Sequence, residues 1–238
     1  MNTEFVLREY YIRYLRDVRQ LSESSIKHYI DALNNISRYL VKNKKIEKMI
    51  YEVGDIGELE IIRAYLHSDE EFKALDKRGH RMYSASLNNY YKFAIGEGFQ
   101  NERKKLEILD IEIPVQGQVA SAQKIWKRSG IILRQSIESA GYKCEIDSSH
   151  TTFTAESTRR QYMEGHHAIP IHRQVHFDIS LDVYANIVCL CPTCHRLLHH
   201  GLGKDKMNAL NQIYNERVDR LAHSGIKISK SEFVEIAI

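Results

Sequence analysis

The stretch Glu164-Gly165-His166-His167, followed by a lone Asn186 and then by Cys191-Pro192-Thr193-Cys194-His195-Arg196-Leu197-Leu198-His199, decides how this chain is read. Two adjacent histidines, an asparagine, and a Cys-x-x-Cys running into two histidines four apart make a set of metal ligands with a candidate general base among them. Eight of the 12 histidines fall between His150 and His200; His28, His67, His80 and His223 are scattered and carry no signal. Three of the four cysteines, Cys189, Cys191 and Cys194, lie together, and Cys144 stands upstream. The N-terminal residues show no pattern of positive start plus apolar stretch, so a cytoplasmic location is expected. In such a chain clustered cysteines point to metal rather than to a disulfide framework.

Local structure sorts these residues into roles. Residues 162–169 and 186–190 read as short strands, the first followed by Pro170, which cannot donate to a ladder. Residues 193–200 read as a helix stopped at Gly201. Adjacent strand residues face opposite ways, so His166 and His167 do not share one role. His195 and His199 lie four apart and share one helix face, whereas His200 is off it.

In this ordered set, residues 144–203 resemble the HNH endonuclease family, whose core is a ββα-metal motif. The resemblance implies that His166 ligates a catalytic cation, with His195 and His199 completing the site, and that His167 is the general base. It implies that Asn186 holds the base-bearing backbone across the hairpin or sits near the metal. Glu164 fits an acid standing behind the ligands, paired with Arg159 or Arg160, and Arg196 fits a phosphate contact. Phosphodiester hydrolysis needs an activated nucleophile, charge neutralisation on the phosphate and help for the leaving oxygen. A divalent cation (Mg²⁺, Mn²⁺ or Ni²⁺) supplies the last two. A histidine can activate water because its pKa lies near neutrality.

Cys191 and Cys194 have the spacing of a tetrahedral zinc knuckle and need two more ligands. Many members of the family supply an upstream Cys-x-x-Cys. Here Cys144 is present, but Asp147 stands at the second position. His150 is the best substitute, giving a structural zinc on Cys144, His150, Cys191 and Cys194, with Asp147 the minor variant. Cys189 is expected in the core.

The rest of the chain frames this unit. Its 238 residues, 43% hydrophobic and 27% charged, are those of a soluble protein, and a net charge of +3 permits nucleic-acid binding without demanding it. No apolar run reaches membrane-span length. Residues 5–18 place Leu7, Tyr11, Leu15 and Val18 on one helical face, and Ser22 caps a helix with Ile26, Ile30, Leu33, Ser37 and Leu40 in a stripe. Further helices are expected around 59–66, after Asp69, from Ser84 to Gly96, over 122–139 and over 205–223, followed by a short tail. The expected organisation is α+β: a mostly helical domain over 1–112, a linker over 113–121, a zinc-stabilised ββα-metal domain with its lead-in helix over 122–204, and a C-terminal helix and tail over 205–238.

Between Tyr14 and Leu40 the helical half also resembles the core-binding domain of tyrosine recombinases. That implies a module clasping DNA through Lys27, Arg38, Lys42, Lys44 and Lys45. A structural or homodimerising domain is the alternative reading. The function expected overall is metal-dependent cleavage of double-stranded DNA, in a restriction or phage-defence enzyme of the kind that cuts modified DNA. The alternative is a zinc-stabilised nucleic-acid-binding protein without cleavage activity. That alternative needs Cys144, His150, Cys191 and Cys194 but leaves His166, His167 and Asn186 without a purpose.

Overall fold

A computed structural model describes residues 6–99, 110–113, 117–120, 123–126 and 128–238. The chain forms two compact units, one ending at Gly98 and one beginning at Phe99. The proposed start of the first helix at Phe5 and part of the proposed linker lie outside the described residues.

The first unit is helical. Helix α1 (Val6–Arg13) runs into a π-helical turn, Tyr14–Val18. Ser22 caps α2 (Glu23–Lys42) by accepting the Ser25 N–H, and α3 (Ile56–Ser68), α4 (Glu70–Arg78) and α5 (Met82–Ala94) follow. Asp69 caps α4 through the Phe72 N–H and also accepts from the Tyr39 hydroxyl at 2.5 Å, tying α4 to α2. The expected stripe of α2 is buried, and its polar member, Ser37, is satisfied: its hydroxyl donates to Leu33 O and accepts the Ile50 N–H. Aromatic rings of α1 and α5 fill the centre, with Tyr11 edge-on to Tyr90 at 5.0 Å. Helix α5 starts at Met82 rather than Ser84, after two residues of positive φ, His80 and Arg81. Gly96 follows the helix with φ of 81°, a conformation that favours glycine.

The second unit is α+β. A hairpin of β1 (Gly117–Ala120) and β2 (Gln123–Trp126) precedes α6 (Gly130–Ser139). This corrects the expectation of one helix over 122–139: only its second half is helical, because Ser129 caps α6 by accepting the Ile132 N–H. Strands β3 (Glu164–His167) and β4 (Ile187–Leu190) pair antiparallel, with His166 opposite Val188 and His167 opposite Ile187. Both are shorter than the sequence pattern predicts. Pro170 and a 3₁₀ turn end the first, and a 3₁₀ turn, Tyr184–Asn186, precedes the second. Helix α7 (Pro192–His200) follows with proline in its first turn, then α8 (Gly203–His223). The proposed C-terminal tail is instead a helix, α9 (Lys230–Ala237), opened by a capping box between Ser229 and Glu232.

Three devices hold the ββα unit in place. Helix α6 lies so close to β3 that a Cβ at Gly165 would come within 2.5 Å of Leu133. In the connection between the strands, Gln174 donates to the carbonyls of Phe177 and Ile179 and accepts the Leu181 N–H. From α8, the buried Arg217 donates to the carbonyls of Tyr184 and Ala185 and pairs with Glu145. Glu145 in turn accepts the Cys189 N–H from β4.

Candidate metal centres and general base

The hairpin and α7 bring His166, His195 and His199 together. One ring nitrogen of each lies within 4.8 Å of the others. The three rings stand edge to face with centroids 4.9 to 5.0 Å apart. The Nε2 atoms of His195 and His199 face each other at 3.2 Å. Glu164, two residues before His166, accepts a hydrogen bond from His195 Nδ1. That partner fixes the tautomer of His195 and leaves its Nε2 lone pair turned toward the other rings. Two imidazole nitrogens facing one another at this distance suit a cation held between them. Burial, and then the neighbouring rings of His195, His199 and His167, push the His166 pKa down to about 3. His199 is lowered too, first by burial and then by His195 and His200. Both rings are therefore neutral near pH 7, the form a metal ligand needs.

Glu164 is not paired with Arg159 or Arg160, contrary to the expectation from its neighbours in sequence. Its two oxygens face His195 and the Tyr162 hydroxyl, the latter at 3.2 Å. His200 stands beside His199 but outside the cluster, and Arg196 is exposed on the same helix.

His167 points the other way from His166. Its Nε2 faces Asp182 Oδ1 at 2.9 Å, and both side chains are nearly buried. Asp182 Oδ2 accepts the Ser129 N–H at 2.7 Å. With Nε2–H donating to a carboxylate, Nδ1 of His167 carries the lone pair, which a general base requires. Sequence reasoning missed Asp182. It lies fifteen residues from its partner in an irregular connection, where no spacing marks it.

Asn186 is fully buried beneath this pair. Its Oδ1 accepts the Ile169 N–H at 2.7 Å, and its Nδ2 donates to the carbonyls of Ile169 and Leu181, each at 2.9 Å. It ties the end of β3 to the segment bearing Asp182. The nearby backbone bond from Ala168 N–H to Asn186 O, at 2.8 Å, extends the clamp. The side-chain bonds of Asn186 join backbone of Ile169 to backbone of Leu181.

A second cluster gathers Cys144, His150, Cys191 and Cys194, whose ligand atoms also lie within 4.8 Å of one another. His150 Nδ1 is 3.5 Å from Cys191 Sγ and 3.4 Å from Cys194 Sγ. Three thiols and one imidazole are compatible with tetrahedral zinc. Asp147 stands outside the four, with Oδ2 at 3.5 Å from His150 Nε2, where it orients the ring. Burial opposes ionisation of Cys144, yet the backbone N–H groups of Cys191 and Asp147, with His150, outweigh it and bring the thiol down to about 7. Cys189 lies outside both clusters in the core, where burial raises its thiol pKa.

Residues 149–201 match the family model described as HNH endonuclease. That segment is therefore similar to HNH endonuclease domains. The match takes in all the histidines of both clusters, Asp182 and Asn186, and leaves Cys144 upstream of it. No curated protein and no solved structure matches the chain.

Proposed function

We propose that the chain is a metal-dependent DNA endonuclease that hydrolyses phosphodiester bonds with one catalytic cation and a histidine general base. The observation that carries this reading is the convergence of His166, His195 and His199 beside a His167–Asp182 pair on the opposite face of the same strand. A divalent cation bound by the three imidazoles supplies Lewis-acid stabilisation of the phosphate and the leaving oxygen. The chain's own residues do the rest. Asp182 keeps the Nε2 proton of His167, so Nδ1 receives the proton of the attacking water. Asn186 fixes the backbone that carries His167. Glu164 orients His195, and Arg196 contacts a phosphate at the rim. The Cys144, His150, Cys191 and Cys194 cluster holds zinc structurally, since four protein ligands leave no open position.

Double-stranded DNA is the proposed substrate, and restriction or phage defence in the cytoplasm the proposed role. The helical unit is proposed as the DNA clasp. All five basic residues named for it are exposed. Lys42 is engaged with Glu71 at 3.2 Å and Lys45 lies over the Tyr65 ring at 4.4 Å, leaving Lys27, Arg38 and Lys44 as its principal contacts. Among the described residues no helix is long and apolar enough to cross a membrane.

The test is incubation of the purified full chain with methylated and unmethylated plasmid and Mg²⁺, Mn²⁺ or Ni²⁺, beside His167→Ala. Cleavage by the wild type alone supports the reading. Equal cleavage by both removes His167 as the base. No cleavage of either plasmid leaves the zinc-stabilised binding protein.

A further inference from the structure

Just before β3 the chain makes a small, well-braced loop that the proposed mechanism does not use. Residues Thr154 and Gln161 form an antiparallel bridge. The Ala155 N–H donates to Arg160 O, and the Tyr162 N–H donates to Phe153 O, both at 2.8 Å. Thr152 adds two more bonds, its N–H to Gln161 Oε1 and its hydroxyl to Tyr162 O. At the base of this loop the rings of Phe153 and Tyr162 stack, with centroids 4.9 Å apart and planes 14° from parallel. The pair does not close over the core: Phe153 is 65% exposed, so the outer face of its ring meets solvent.

A phenyl ring held open to water by a braced backbone does little for folding, because most of its apolar surface stays in solvent. Its setting indicates an occupant. The Tyr162 hydroxyl donates to Glu164, and Glu164 accepts from His195, so the aromatic pair connects directly to the imidazole cluster. Arg159 is exposed in this loop, Arg160 lines a separate cavity beside Tyr142, and the charge of Arg196 bears on the Tyr162 hydroxyl. An open aromatic face with the Arg196 guanidinium charge close to its tyrosine hydroxyl suits a ligand that alternates flat rings with phosphates.

We infer that the Phe153–Tyr162 pair is a stacking platform for a nucleobase of the DNA strand next to the scissile phosphate, with Arg196 holding the adjoining phosphate. The base reaches it by leaving its own stack, which makes locally opened or single-stranded DNA the preferred ligand of this subsite. This inference rests on the nuclease reading for its location, but its readout is binding rather than cleavage.

The full chain, without added divalent cation, is titrated into a labelled single-stranded DNA oligonucleotide and into an abasic oligonucleotide of the same length. Fluorescence anisotropy gives the two affinities. Wild type binds the base-bearing strand more tightly. Phe153→Ala and Phe153→Leu weaken that binding about 5- to 100-fold and leave the abasic strand unaffected, whereas Phe153→Trp retains it. Arg196→Ala weakens both strands alike. The platform is overturned if Phe153→Ala binds both strands as wild type does, if it loses both equally, or if Phe153→Leu keeps full affinity. A change of oligomeric state in Phe153→Ala by light scattering also overturns it, since the ring would then belong to an interface between copies. The two readings fail separately: base-dependent binding without plasmid cleavage sinks the nuclease, and cleavage without base-dependent binding sinks the platform.

Discussion

Asp182 joins the proposed base to the helix behind it: one oxygen faces His167 Nε2 at 2.9 Å, and the other accepts the backbone N–H of Ser129, the cap of α6, at 2.7 Å. The orientation of His167 is therefore set by an element outside its own hairpin.

Replacing that carboxylate by an amide keeps the shape and reverses the proton. In Asp182→Asn the new Nδ2–H can donate to His167 Nε2, which places the imidazole proton on Nδ1 and removes the lone pair. The expected result is a fall in kcat of about 10²-fold or more at saturating cation, with the melting temperature close to wild type. Undiminished turnover of plasmid would take Asp182 out of the mechanism.

Asn186 offers a sharper contrast. Asn186→Ala deletes three hydrogen bonds and leaves buried backbone groups of Ile169 and Leu181 unpaired, costing about 1–3 kcal/mol or more by urea denaturation. Asn186→Asp keeps the acceptor for Ile169 N–H but turns a carboxylate oxygen on two carbonyls. We expect it to be less stable than the alanine variant. The reverse order would mean that the amide is flipped or the site is wet.

The close approach at Gly165 predicts a compensating pair. Gly165→Ala forces its Cβ against Leu133 and is expected to destabilise the second unit by about 1–3 kcal/mol. Leu133→Ala in the same chain should recover part of that loss, giving a coupling energy well away from zero in a double-mutant cycle. Strict additivity would show that the strand and α6 can simply move apart.

Structural zinc in small domains contributes on the order of 10 kcal/mol of binding free energy at neutral pH. Cys144→Ser is therefore expected to lose zinc by elemental analysis and to make the second unit sensitive to limited proteolysis. Asp147→Ala, which removes the partner of His150 Nε2 and the acceptor of two Ser149 hydrogen bonds, should keep the metal and weaken its retention about 10- to 100-fold in chelator competition. Equal zinc content in Cys144→Ser and wild type would rule the cluster out.

The imidazole cluster is legible in the pattern of side chains because its three members sit on regular elements, and the thiol cluster through its Cys-x-x-Cys spacing. His195 and His199 share a helix face by period, His166 and His167 separate by the strand's alternation, and Ser22 and Asp69 announce their helices. What the pattern does not reveal lies in irregular segments or in long-range pairing. Asp182 and Gln174 act from the connection between β3 and β4, where no period applies. Arg217 looks like one charge among many on α8, and only the fold buries it. Glu164 finds an imidazole thirty-one residues away in preference to the neighbouring arginines. The last helix is a different case: Ser229-x-x-Glu232 is a capping signal that the sequence does carry, in a segment expected to be a tail.

Cys194 and His195 are consecutive residues, yet one faces the thiol cluster and the other the imidazole cluster. A single short helix thus serves as the common wall of two binding sites. Any coupling between ions held in the two clusters is reciprocal: whatever factor the first lends to the affinity of the second is returned unaltered. Under the proposed function, starving the protein of zinc would accordingly shift its affinity for the catalytic cation with no change to His166, His195 or His199 themselves.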